Sequence, residues 1–122
     1  MNAVAAGMRI LIVEDEFFAA HLLEEDLRAA GFVTLGPFTT LGRAIEAARS
    51  EDFDLAILDV NLNGEMVYPL ADELVARGMP FVFLSGYSLR DLPERFRTLP
   101  KVSKPYSAPV LMAEIQRIAP SA

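Results

Sequence analysis

Cysteine is absent from the 122 residues. Disulfides, thiolate zinc sites and cysteine nucleophiles are therefore excluded together, and the absence fits a reducing cytoplasm. Histidine occurs once, at His21. Chemistry that needs two histidines is excluded, and His21 itself reads as structural or solvent-facing. Basic residues are few: eleven Lys and Arg against seventeen Asp and Glu give a net charge of −6 and a pI near 4.7. A nucleic-acid binder needs a basic face and an anionic membrane attracts one, so neither is expected as a partner. Long apolar runs are also missing. Ile10–Val13 and Met79–Leu84 fall far short of the ~20 residues of a membrane span. The N-terminus has no basic stretch, and Glu14-Asp15-Glu16 comes too early for a signal peptide. A cytoplasmic location is expected.

What is present is a core. Apolar residues make up 52% of the chain and mean hydropathy is +0.30, which excludes disorder. The length suits one domain, expected over residues 8–122, with residues 1–7 as a loose leader. Short apolar runs lie at Met8–Val13, Phe32–Gly36, Leu55–Leu58 and Phe81–Leu84, with a weaker one near Val102. Most are apolar at successive positions, as in strands buried on both faces of a parallel sheet. Helix-period stripes fall between them: Ala20, Leu23, Leu27, Ala30; Leu41, Ala44, Ile45, Ala48; Val67, Leu70, Ala71, Leu74; and Leu111, Ile115, Ile118, Ala119, with Ser107 as an N-cap. The segment Tyr87–Leu99 is interrupted by Pro93 and sparse in apolar residues, so a short or frayed helix is expected there. The alternation predicts an α/β fold: a doubly wound, five-stranded parallel sheet with right-handed crossovers and helices on both faces.

In such sheets, ligands bind beyond the carboxyl ends of the strands. Those ends carry Glu14 and Asp15, then Asp59 followed by Val60 and Asn61, then Ser85-Gly86, then Lys104-Pro105. Carboxylates crowded there repel; at 4 Å and an effective dielectric of 20 each pair costs about 4 kcal/mol. They need a raised pKa or a cation. Oxygen ligands without His or Cys favour a hard divalent ion, and Mg²⁺ fits best. Ser85 and Lys104 can hold phosphoryl oxygens at the same edge. The set suits attack on phosphorus to give an aspartyl phosphate, with Asp59 as nucleophile and Glu14 and Asp15 on the metal.

These residues resemble the receiver domain of two-component response regulators. The resemblance rests on Ile10-Leu11-Ile12-Val13-Glu14-Asp15-Glu16, Leu58-Asp59-Val60-Asn61-Leu62, Phe83-Leu84-Ser85-Gly86 and Lys104-Pro105-Tyr106, and covers the chain from about Met8 to its end. It implies a flavodoxin-like (βα)5 fold, as in CheY, with strand order 2-1-3-4-5. It implies that Asp59 accepts a phosphoryl group from a histidine kinase or phosphotransfer protein. Asp15, Asp59 and the Asn61 carbonyl would ligate Mg²⁺, Glu14 would act through water, and Ser85 and Lys104 would bind the phosphoryl. Asn61 and Tyr87 would tune autodephosphorylation. Pro80-Phe81-Val82-Phe83-Leu84-Ser85-Gly86-Tyr87 is similar to the Pro-Phe-x-Phe-Ala-Thr-Gly-Tyr motif of mostly single-domain receivers often served by HWE-type kinases. The chain departs from the family pattern in two places: Leu62-Asn63-Gly64-Glu65 replaces a proline-containing loop, and Lys101 stands where many receivers have an aromatic switch residue.

No residues remain for an output domain after the last helix, so the expectation is a stand-alone receiver that signals through a partner or serves as a phosphate shuttle or sink. It would be no enzyme beyond its own phosphorylation and dephosphorylation. The alternative is a pseudo-receiver that only docks. A phosphohydrolase would place an acid two residues beyond the nucleophile, where Asn61 stands. A flavodoxin-type ligand site would meet repulsion from Glu14-Asp15-Glu16. Arg90, Arg95 and Arg97, with Asp91 and Glu94, read as a solvated surface.

Overall fold

The computed structural model describes residues 7–86 and 92–120. The leader at 1–6 and Tyr87 lie outside the described residues. Five strands form one parallel sheet: β1 (Arg9–Val13), β2 (Val33–Phe38), β3 (Leu55–Asp59), β6 (Phe81–Ser85) and β7 (Lys101–Ser103), in the order β2-β1-β3-β6-β7. Four helices are described: α1 (Phe17–Ala29), α2 (Leu41–Ser50), α3 (Tyr68–Arg77) and α4 (Ala108–Ile118). Counting only strands of the main sheet, this is the expected 2-1-3-4-5.

The continuous apolar runs have a direct explanation. Successive residues of β1, β3 and β6 point to opposite faces, and both faces are covered. Leu11, Val13, Ala56, Leu58, Phe81 and Phe83 pack with Leu41, Ala44 and Ala48 of α2 and Leu70, Ala71 and Leu74 of α3. Ile10, Ile12, Leu55, Ile57, Val82 and Leu84 pack with Leu23 and Leu27 of α1 and Leu111 and Ile115 of α4. All of these are buried. Three helices begin where an oxygen-bearing side chain accepts from early main-chain N–H groups: Glu16 from Phe18 and Ala19 for α1, Thr40 from Arg43 for α2, and Ser107 from Val110 for α4.

Several local features add to the sequence expectation. The Gly7 N–H donates to the Gly31 carbonyl at 3.0 Å. β2 is an edge strand, only partly buried, and runs on to Phe38 through Pro37, which an edge tolerates because one side of the ladder is unpaired. The register between β1 and β2 shifts between Leu11 and Val13, and Gly36 (φ +99°) sits at that irregularity. A Cβ on Gly36 would meet Phe38 N at 2.7 Å and Ile12 O at 2.8 Å, so no other residue fits unstrained. Between β6 and β7, within the described residues, the short helix expected in Tyr87–Leu99 is one 3₁₀ turn, Glu94–Phe96, with Pro93 at its start. Pro93 lacks the N–H that a longer preceding helix would use.

A feature the sequence reading did not expect is a small antiparallel hairpin of β4 (Asn61–Leu62) and β5 (Glu65–Met66), between β3 and α3. Asn63 (φ 55°) and Gly64 (φ 93°) form its two-residue turn. Positive φ at both central positions matches the twist of the flanking strands, and Asn-Gly supplies it most readily.

Candidate functional site

The carboxyl ends of β1, β3, β6 and β7 lie side by side, because these strands are parallel and adjacent in the sheet. β1 delivers Glu14 and Asp15, β3 delivers Asp59, β6 delivers Ser85, and the residue after β7 is Lys104. Lys104 N donates to the Ser85 carbonyl at 2.8 Å, which ties the last two ends together. Carboxylate oxygens of Glu14, Asp15 and Asp59 all fall within 4.8 Å of one another. Glu14, Asp59 and Ser85 are buried, and Asp15 is partly exposed.

Lys104 balances this charge. Its Nζ donates to Glu14 Oε2 at 2.9 Å and lies 3.4 Å from Asp59 Oδ2. Glu14 Oε1 also accepts from the Glu16 N–H at 3.1 Å. Glu14 is thus the carboxylate most engaged by protein groups, and Asp15 and Asp59 are the more available pair. Burial first, and then the Glu14 charge beside it, push the Asp59 carboxyl up to about 7, while Lys104 acts in the opposite sense. Burial is the largest single influence on Lys104 and lowers it. The hydrogen bond to Glu14 and the charges of Asp59 and Glu14 outweigh it and hold the ammonium above its ordinary value.

An open cleft of about 480 Å³ is lined by Asp15, Asp59, Asn61, Asn63, Gly64, Gly86 and Lys104. The donors facing each other there are hard oxygens, a set suited to Mg²⁺. Such a cation would be held by Asp15 and Asp59 and would offset the burial and the Glu14 charge that raise the Asp59 carboxyl.

A family-level comparison matches residues 10–116 to the response regulator receiver domain. The chain belongs to the receiver domain family. The PdtaR transcriptional regulatory protein of Mycobacterium tuberculosis is 33% identical over 116 residues, 92% of this receiver and 57% of that protein. The receiver thus spans little more than half the length of that curated relative. The solution structure of SdrG from Sphingomonas melonis Fr1 superposes with a TM-score of 0.81 at 37% identity, covering 92% of this receiver and 96% of that chain. SdrG in its BeF3-activated conformation gives 0.76 at 36% identity, covering 93% and 99%. The receiver domain of the sensor histidine kinase PA1611 from Pseudomonas aeruginosa shares the fold at a TM-score of 0.80 and 24% identity, covering 93% and 98%; that structure has a magnesium ion coordinated in its active site cleft.

The structure brings together Glu14, Asp15, Asp59, Ser85 and Lys104 in the receiver, with Asn61 at the cleft wall. Tyr87, the second residue read as tuning dephosphorylation, is outside the described residues. His21 is away from the cleft on α1, with Nε2 2.6 Å from Glu25 and its ring stacked on Phe17. Arg90 and Asp91 lie outside the described residues, Glu94 and Arg97 are exposed as expected, and so is Arg95. It pairs with Asp72 of α3 through two hydrogen bonds of 2.8 and 3.0 Å, and its guanidinium lies 4.4 Å from the Phe96 ring centroid. Lys101, at the position of the missing aromatic, instead donates to the Arg97 and Leu99 carbonyls. Sequence reasoning missed Phe96, which is buried against Phe83 and Tyr68 at 5.4 and 5.5 Å between centroids. It also missed the hairpin, although Asn63-Gly64 is its signal.

Proposed function

We propose that this receiver accepts a phosphoryl group on Asp59 from a phosphohistidine of a histidine kinase, HWE-type among the candidates, or of a phosphotransfer protein. One observation carries the reading: Asp59 lies buried at the end of β3, in reach of Lys104 and clustered with the Glu14 and Asp15 carboxylates. A carboxylate oxygen of Asp59 attacks phosphorus. The P–N bond of the phosphohistidine breaks, and its electron pair returns to the imidazole nitrogen. Lys104 pairs with the oxygens that gain charge, and the Ser85 hydroxyl donates to the phosphoryl once it is in place. Mg²⁺ would be held by Asp15, Asp59 and the Asn61 carbonyl, with Glu14 acting through water, and would supply charge neutralisation for the transferring group.

The chemistry is confined to the receiver itself: it catalyses its own phosphorylation and autodephosphorylation in the cytoplasm. Phosphorylation adds nearly two negative charges and three acceptor oxygens at one edge of the sheet. The output is partner binding that depends on that charge, or passage of the phosphoryl onward as a shuttle or sink. The similarity to SdrG, including its BeF3-activated conformation, and the Pro80–Tyr87 segment support a single-domain signalling role of the Pro-Phe-x-Phe-Ala-Thr-Gly-Tyr type.

The test uses phosphoramidate, a P–N donor that imitates phosphohistidine, together with Mg²⁺ calorimetry. The reading expects Mg²⁺ binding that Asp15→Asn weakens, and a hydroxylamine-labile phosphoryl that forms only with Mg²⁺. A protein that neither binds Mg²⁺ nor takes up phosphoryl is a docking module instead.

A further inference from the structure

We propose that the Arg95–Asp72 pair is a surface latch: it fastens the 3₁₀ turn between β6 and β7 to α3 and thereby sets how often that turn opens while the rest of the domain stays folded. The inference goes beyond the phosphoacceptor reading and does not depend on it.

A 3₁₀ turn of three residues has little stability of its own, and β7 beyond it is an edge strand of three residues. Two adjacent side chains fasten the turn. Phe96 points inward and is buried, its ring 5.4 Å from that of Phe83 and 5.5 Å from that of Tyr68. Arg95 is exposed, and its guanidinium donates twice to Asp72 of α3, from Nε to Oδ1 at 2.8 Å and from Nη2 to Oδ2 at 3.0 Å. The same guanidinium lies 4.4 Å from the Phe96 ring centroid. One planar cation thus joins the turn to α3 and covers the inserted ring. Because the two residues are neighbours in the chain, withdrawing Phe96 from the core also breaks the Arg95 contacts, so plug and latch open together. Hydrogen bonding from Arg95 holds the Asp72 carboxyl below its ordinary value, which keeps the pair charged at neutral pH. A single exposed pair is weak and is screened by salt, as suits a latch rather than a permanent staple. Behind it lies the cleft: Phe83 is two residues before Ser85 on β6, so the two share a face of the strand. A competitor for Arg95 or Asp72 at the surface therefore loosens the packing beside the strand end that carries Ser85.

The experiment compares wild type, Asp72→Asn, Arg95→Gln and the double variant by native-state amide exchange. The amides of Arg97 and Leu99, which donate to the Glu94 and Phe96 carbonyls at 3.2 and 3.1 Å, report the turn. The Ala56 amide of β3, which donates to the Pro80 carbonyl at 3.1 Å, reports unfolding of the domain. In wild type the turn amides exchange faster than Ala56 and with little dependence on dilute denaturant, the mark of local opening. Asp72→Asn speeds exchange at Arg97 and Leu99 about threefold, the scale of an exposed ion pair. Arg95→Gln speeds it about tenfold, because the cover on the ring is lost as well. In the Arg95→Gln background, Asp72→Asn adds nothing, since its effect passes through Arg95. Added salt speeds the turn amides in wild type and not in Arg95→Gln. Turn amides that share the denaturant dependence of Ala56 overturn the proposal, because the turn then opens only with the whole domain. Single variants that exchange as wild type does, or an Asp72→Asn effect undiminished without Arg95, overturn it equally.

Discussion

Lys104 is the residue on which the site's electrostatics turn. It faces the almost fully buried Glu14 carboxylate at 2.9 Å and Asp59 at 3.4 Å. Removing one member of such a pair leaves a buried charge uncompensated, which costs about 3–5 kcal/mol. Lys104→Met is therefore expected to lower unfolding free energy by about that amount in denaturant titrations, and adding Glu14→Gln is expected to recover much of it. If the single and double variants are equally unstable, the pair is not the source of the cost. Asp59 makes the complementary prediction. Its carboxyl is raised to about 7 in the folded state, so the folded protein holds a proton that the unfolded chain releases near 3.8. Stability contributed by that proton is present at low pH and is lost as pH rises toward 7. In Mg²⁺-free buffer, Asp59→Asn should melt several degrees above wild type at pH 8, with the gap closing as pH falls toward 4. An equal gap at both pH values contradicts the assignment.

At the scale of elements, the strands around the site were legible in the sequence to the degree that they are buried. β1, β3 and β6 are covered on both faces, so their sequences are continuous apolar runs. β2 is an edge, and Pro37 breaks the pattern that would have extended it to Phe38. β7 has three residues, of which Val102 alone is buried, so only one position carried a signal. The hairpin was illegible as a strand pair because two residues on either side of Asn63-Gly64 are too few to show alternation. Phe96 was missed for another reason. Its stretch has no helical period, because a 3₁₀ turn of three residues buries one side chain and exposes its neighbours. That side chain nonetheless closes the core between Phe83 and Tyr68. Phe96→Ala is expected to cost about 3–5 kcal/mol in chemical denaturation. A loss below about 1 kcal/mol would show that the surface can do without this plug.

For the whole molecule, the readable part of the site was its topology. Glu14 and Lys104 are 90 residues apart, and no local pattern joins them; the parallel order of the strands does. What topology did not supply was which carboxylate Lys104 would grip, because that depends on side-chain reach inside the folded edge. The same topology orders local stability. β1, β3 and β6 are flanked on both sides, whereas β2 and β7 are the edges. Native-state amide exchange should be slowest in β1, β3 and β6 and faster in β7 and the hairpin; uniform protection across the sheet contradicts this packing. No described helix is long and apolar enough to cross a membrane. The most direct measurement is the intact mass of wild type and Asp59→Asn after incubation with a small acyl phosphate, with and without Mg²⁺. The account predicts a gain of one phosphoryl group in wild type, only with Mg²⁺, and none in Asp59→Asn. A gain that persists in Asp59→Asn, or a wild type that binds Mg²⁺ and takes up no phosphoryl from either acyl phosphate or phosphoramidate, would contradict it.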